Sequence, residues 1–201
     1  IAAGTAACVA GGDPKAVWQL PDTTGLKGDV VLLGGRVVWD SSIRLTGARL
    51  KIVDAVETLD SALGPDPAMV YTTWTDERLE HAHPITKKRG VPMMVDDAAG
   101  IPPFDSMRRV AELGVDLFCF SGGKGLRGPQ CAGVLLGRKD LIDAARKHCS
   151  PWEGAVCRPM KVGKEEIIGV LTAIEIWKDL DLEELNKAWS TRVATIARMV
   201  E

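Results

Sequence analysis

Phe120-Ser121-Gly122-Gly123-Lys124-Gly125-Leu126-Arg127-Gly128-Pro129-Gln130 follows directly on the apolar run Val115-Asp116-Leu117-Phe118-Cys119. A run this short, rich in aromatic and β-branched residues, reads as a buried strand. The glycines behind it let the backbone bend sharply and come close to a ligand. A lysine at such a strand exit, partly shielded from water, can lose its proton near neutral pH and become an amine nucleophile able to form a Schiff base. Taken alone, the loop reads better as a solvated lysine among flexible glycines. A second element upstream separates the two readings.

That element is Gly90-Val91-Pro92-Met93-Met94-Val95-Asp96-Asp97-Ala98-Ala99-Gly100. Pro92–Val95 reads as another short buried strand, and it ends on two acids. In an α/β protein, ligands bind in the crevice outside the carboxyl ends of the strands. Asp96 or Asp97 could instead cap the next helix. Paired with a strand-exit lysine one βαβ unit later, an acid can keep a pyridine nitrogen protonated, the arrangement used with pyridoxal phosphate.

Outward from these two elements, short apolar runs alternate with helical stretches. Expected strands are Val30–Leu33, Lys51–Val53, Met69–Thr72, Pro92–Val95, Leu117–Phe120 and Gly133–Leu136. Expected helices are Ala2–Ala10, Trp39–Thr46, Thr58–Leu63, Asp76–Arg89, Ser106–Leu113, Lys139–Lys147, Lys164–Lys178 and Leu182–Met199, with Pro84 interrupting or restarting the fourth. Alternation of this kind implies a three-layer α/β fold, a mainly parallel sheet with helices on both faces. Right-handed crossovers would put the parallel strand ends on one side, where Asp96 and Lys124 can meet. The short Gly128-Pro129 connection suits an antiparallel neighbour for the run Cys131–Leu136.

Composition narrows the function classes. The chain has 201 residues and a net charge of −2, so no basic footprint for nucleic acid or an anionic membrane is visible. No apolar run approaches the roughly 20 residues of a spanning helix. The five cysteines (Cys8, Cys119, Cys131, Cys149, Cys157) are odd in number and lack a CxxC pair, which suits reduced thiols in a cytoplasmic protein and argues against zinc. Cys119 and Cys131 lie in apolar, strand-like runs.

From about Ala6 to Asp179 the chain resembles the pyridoxal-phosphate enzymes of aspartate-aminotransferase fold. The branch is the one that holds selenocysteine synthase (L-seryl-tRNA(Sec) selenium transferase) and D-glucosaminate-6-phosphate ammonia-lyase. Five ordered blocks carry the resemblance: Ala7–Pro14, Ile43–Ala48, Val95–Pro103, the lysine loop, and Lys161–Gly169. It implies that Lys124 is the Schiff-base lysine, Asp96 the pyridinium partner and Ser121 a cofactor-phosphate ligand, with Ala98 and Gly123 beside the cofactor. Arg36 aligns with a Gly-His-Arg block in which the arginine lies near the substrate. Here Gly35 stands where the family has histidine, and a surface salt bridge is the other reading of Arg36. Arg127 and Gln130 flank the loop and either reach the cofactor and substrate or bind backbone carbonyls.

The resemblance also implies a chain organised as a cofactor-binding large domain over 1–180, short of its N-terminal part. Residues 181–201 would form a helix leading toward a small C-terminal domain absent from the sequence. A turn binding the cofactor phosphate would precede Ala2, and the segment Tyr71–Asp76 is short against the family. Self-association as a homodimer or larger is implied as well.

Other residues read more plainly. His81 and His83, two apart, point to different faces of a solvated helix and suit no metal. His148 beside Cys149 lacks the geometry of a nucleophile pair. The six tryptophans read as core or interface. The expected function is a pyridoxal-phosphate lyase or transferase acting on a small amino-bearing, possibly sugar-derived substrate by elimination or replacement. A tRNA partner is disfavoured by the charge balance but stays open. The alternatives are a phosphate- or nucleotide-binding module, although Gly125 stands where a Walker loop needs Ser or Thr, and a non-catalytic relative of the same fold.

Overall fold

The computed structural model describes residues 1–200. Six strands, β1 (Asp29–Leu33), β2 (Arg49–Val53), β3 (Pro67–Thr72), β4 (Met93–Asp96), β5 (Leu117–Ser121) and β6 (Gly133–Gly137), form one sheet in the order β2-β1-β3-β4-β5-β6. The first five are parallel and β6 runs antiparallel to β5. β1, β3, β4 and β5 are nearly continuous apolar runs because helices cover both of their faces.

The helices are α1 (Ala2–Ala10), α2 (Pro14–Gln19), α3 (Asp40–Arg44), α4 (Leu59–Ala62), α5 (Arg78–Arg89), α6 (Asp105–Leu113), α7 (Lys139–Lys147), α8 (Lys164–Lys178) and α9 (Leu182–Val200). On one face, Leu32, Met69, Tyr71, Met94, Leu117 and Cys119 pack against Ala6, Val9 and Ala10 of α1 and Leu141 of α7. On the other, Val31, Val70, Met93, Val95, Phe118 and Phe120 meet Leu79 and Ala82 of α5, Val110 of α6 and Trp177 of α8. These are the expected three layers. The chain leaves β1 toward β2, then returns past β1 to β3, so the direction of winding reverses between β1 and β3. Reversals of this kind open a crevice at the carboxyl ends of the strands.

Several local expectations are corrected. α5 runs unbroken through Pro84. The ring lies on the solvent face, and the carbonyl of the equally exposed Glu80, which loses its partner, can turn to water. His83 is buried, not solvated, and burial pushes its pKa down. Cys131 is exposed and outside any strand. Of the tryptophans only Trp74 and Trp177 are buried. α2 was not anticipated, although Asp13-Pro14 signals it: the Asp13 carboxylate accepts from the backbone N–H of Lys15 and Ala16, and proline suits the first turn. α3 is shorter than the expected Trp39–Thr46. Glu201, the last residue of the expected terminal segment, lies outside the described residues. Among those described, no helix is long and apolar enough to cross a membrane.

Candidate active site

The acids after β4 part company because side chains alternate along a strand. Asp97 turns to the connection that follows, where its carboxylate accepts from Ser106 Oγ and from the Gly100 N–H. Asp96 turns to the α1 side and is 4% exposed. Its register partner Cys119 and the preceding same-face residue Met94, which pairs with Tyr71, share that side. Tyr71 Oη donates to Asp96 Oδ2 at 2.7 Å. Burial, reinforced by the Asp96 charge, drives the Tyr71 phenol well above its usual range, so it remains a donor. Burial likewise pushes the Cys119 thiol up to about 12, with Asp96 adding to it. A buried carboxylate with one strong donor is therefore held at the end of β4, among groups that stay neutral.

The lysine loop is a closed hydrogen-bonded structure. The N–H of Gly122 donates to Ala132 O at 2.9 Å, that of Gly128 to Gly122 O at 2.7 Å, and that of Arg127 to Lys124 O at 2.9 Å. Trp177 Nε1 from α8 donates to Leu126 O at 2.7 Å and ties the loop to the opposite layer. Gly123 is required by close approach, since a Cβ there would lie 2.5 Å from Gln130 Cα. Ser121 Oγ accepts from the Gly123 N–H at 3.3 Å, while the Ser121 N–H reaches Ala98 O at the same distance. Lys124 is exposed, where partial shielding was expected. Its Nζ lies 4.6 Å from the centroid of the Trp39 ring, a cation–π contact.

These pieces converge on a cavity of about 860 Å³, lined by Asp96, Ala98, Ser121, Lys124, Gln130 and Trp39 among others. That volume suits a cofactor with its substrate. Gly123, Arg36 and Arg127 do not line it. Gly123 is packed against the backbone of Gln130, and Arg36 pairs with Asp40 at the start of α3. Arg127 stacks over Trp177, 4.9 Å from the ring centroid. Gly35, at the family's histidine position, has φ +93°, a region that disfavours any residue with a Cβ. Trp39, four residues later, supplies the aromatic face that β1's exit loop brings to the cavity.

Sequence reasoning missed Tyr71, Trp39 and the cysteines of the cavity wall. Tyr71 carried a signal, as a lone phenol in a buried strand needs a partner. Trp39 carried none, because nothing local shows which way its loop folds. His148, set aside earlier, is fully buried and its Nε2 contacts Gly11 O at 2.9 Å, turned to α1 rather than into catalysis. Among the described residues, no group of three His, Cys, Asp or Glu side chains could hold a metal.

Comparison with known proteins bears on the family and the fold. The aminotransferase class-V family model matches residues 41–157. The 5'-C-glycyluridine monooxygenase-decarboxylase of a Streptomyces species is 32% identical over 220 residues, covering 100% of this chain and 53% of that protein. The L-seryl-tRNA(Sec) selenium transferase of Serratia proteamaculans (strain 568) is 32% identical over 51% of this chain and 21% of its own length. A solved D-glucosaminate-6-phosphate ammonia-lyase superposes with a TM-score of 0.78 at 27% identity, covering 90% of this chain and 51% of that one. The chain thus spans about half the length of the relatives that it matches along most of its own. With a buried strand-end acid, a strand-exit lysine and a sheet of this order in one crevice, the chain belongs to the aminotransferase class-V family of pyridoxal-phosphate-dependent enzymes.

Proposed function

We propose that the complete protein acts at the α carbon of an amino acid carried on a sugar-derived skeleton, with elimination as its outcome. The observation that carries this reading is the meeting of Asp96 and Lys124, one βαβ unit apart in sequence, on one cavity. The residues present fit pyridoxal phosphate: a buried carboxylate for the ring nitrogen, an amine for the aldehyde, and a hydroxyl at Ser121 with the Ala98 backbone beside it. When bound, the cofactor supplies an electron sink for charge developing at a substrate carbon. Lys124 would hold the cofactor through Nζ and, as an amine within the cavity, would serve as the general base for the α proton. Asp96, steadied by Tyr71, would pair with the ring nitrogen and hold its proton. Trp39 walls the lysine side, and Ser121 takes the phosphate. Gln130 faces the substrate; Gly123 lets the loop close; Arg36 and Arg127 stand outside the cavity as outer contacts at most.

The names of two relatives support the substrate class, since glucosaminate and a glycyl-substituted uridine are both amino acids built on sugar frames. A second reading, loss of the carboxyl group as CO2 with O2 consumed, is favoured by the relative that matches the whole chain. We place residues 1–180 as the cofactor domain and 181–201 as the lead into a smaller one. The exposed apolar residues Trp189, Val193 and Ile196 of α9 support a covering domain or subunit. A homodimer or larger assembly and a cytoplasmic setting complete the proposal, and five unpaired cysteines suit the latter. The test is to load the complete protein with pyridoxal phosphate and present sugar-derived amino acids. Ammonia release supports elimination, CO2 release with O2 uptake supports the second reading, and neither, in a protein that binds the cofactor through Lys124, rejects both.

A further inference from the structure

We propose that Cys149 and Cys157 form a dithiol site on the cavity wall that is reversibly oxidised to a disulfide by low-molecular-weight disulfides. The two residues pair across an isolated parallel β-bridge. Bridge partners lie about 4.8 Å apart, inside the roughly 4.4–6.8 Å over which Cα atoms accept an unstrained disulfide. Both line the cavity. Both are also held from outside: the Cys157 N–H donates to His148 O at 3.0 Å, and the buried His148 ring is fixed to Gly11 O. Between them, the segment Ser150–Val156 opens with a turn in which the Trp152 N–H donates to Cys149 O at 3.0 Å. The backbone spacing of the two ends is therefore within disulfide reach.

The thiols are unequal, which sets the direction of the chemistry. Cys149 is partly exposed and Cys157 buried. A hydrogen bond from the Cys157 thiol stabilises the Cys149 thiolate and brings its pKa down to about 7. The same bond keeps Cys157 protonated. Cys149 is thus the attacking sulfur and Cys157 the resolving one. In the first step the Cys149 thiolate attacks one sulfur of a disulfide RSSR, and RS− leaves and takes up a proton. In the second, Cys157 gives up its proton and attacks the Cys149 sulfur of the mixed disulfide, releasing a second RSH. Counted from the dithiol, with the Cys149 proton passing through solvent to the first RS−, the protein loses two electrons and two protons, RSSR gains them, and excess thiol reverses both steps.

The site is independent of the cofactor reading, and its test does not use activity. The complete protein is incubated with oxidised glutathione at neutral pH, then mapped by mass spectrometry after blocking free thiols. The expected result is a Cys149–Cys157 linked peptide and loss of two of the five thiols, restored by excess reduced glutathione. Cys157→Ser should stop at a stable glutathione adduct on Cys149. Cys149→Ser should leave position 157 unmodified, and Cys131→Ser should not change the linked peptide. A wild-type protein that accumulates the Cys149 adduct without cross-linking, or that links the pair no faster than the urea-unfolded chain, overturns the proposal.

Discussion

The floor and the rim of the cavity are built by different physics. On the floor, Asp96 and Cys119, with Tyr71 behind Asp96, project from adjacent strands, are almost out of contact with water, and are fixed by sheet register. On the rim, Lys124, Trp39 and Cys149 come from three loops, and each retains contact with solvent. The two cysteines show the consequence. Burial raises the Cys119 thiol to about 12, whereas a donated hydrogen bond lowers Cys149 to about 7. One cavity therefore holds an inert thiol and a reactive one. The floor is held rigid by strand register, and the rim carries the groups that solvent can reach.

The contrast is sharpest at Lys124. Lys124→Ala removes the attaching amine and should cost at least about 10³-fold in activity. Being a surface truncation, it should change the stability of the cofactor-free protein by less than about 0.5 kcal/mol. Turnover assays with thermal unfolding check the pair of outcomes. A large drop in Tm would show that the loop supports the fold, and the floor-and-rim division would fail there.

Asp96→Asn keeps the shape of the floor but removes its charge. A fall of about 10²-fold in turnover is expected, with the cofactor still attached and its absorption band altered. Unchanged turnover would separate Asp96 from the chemistry. Tyr71→Phe probes the same charge from the other side. It leaves the buried carboxylate without its donor and should destabilise the protein by about 1–3 kcal/mol, read by urea unfolding.

The thiols give a pH test with opposite signs. The pKa of Cys149 is lower in the folded state than in the unfolded chain, so its stabilising contribution is present above about 9 and is lost as pH falls through about 7. The pKa of Cys119 is raised, so its contribution is complete below about 9 and is lost as pH climbs toward about 12. Alkylation by iodoacetamide should accordingly label Cys149 with a midpoint near 7 and spare Cys119 until the protein unfolds. Equal labelling would erase the distinction. The smallest effect is expected at Arg36. Arg36→Ala should leave cofactor affinity unchanged by titration, because the side chain is paired with Asp40 outside the cavity; a marked loss would return Arg36 to the site.

The sequence was legible where the signal is local. Strand runs such as Met93–Val95 and Leu117–Phe120 are apolar along their whole length, and the helices Lys139–Lys147 and Lys164–Lys178 were placed at their observed bounds. Asp96 and Lys124 were legible because strand ends are marked by acids and glycines. Pro84 was misread because a local rule for proline ignores which face meets water.

By itself the sequence determined the α/β alternation, the family's lysine loop and the strand-end acid, since backbone periodicity and glycine placement are written residue by residue. The tertiary structure alone decided that Tyr71 would serve Asp96, that Trp39 would face Lys124, and that Cys149 would meet Cys157. Those contacts depend on register between strands and on loop paths set by the whole core, and no neighbouring residue in the chain encodes them.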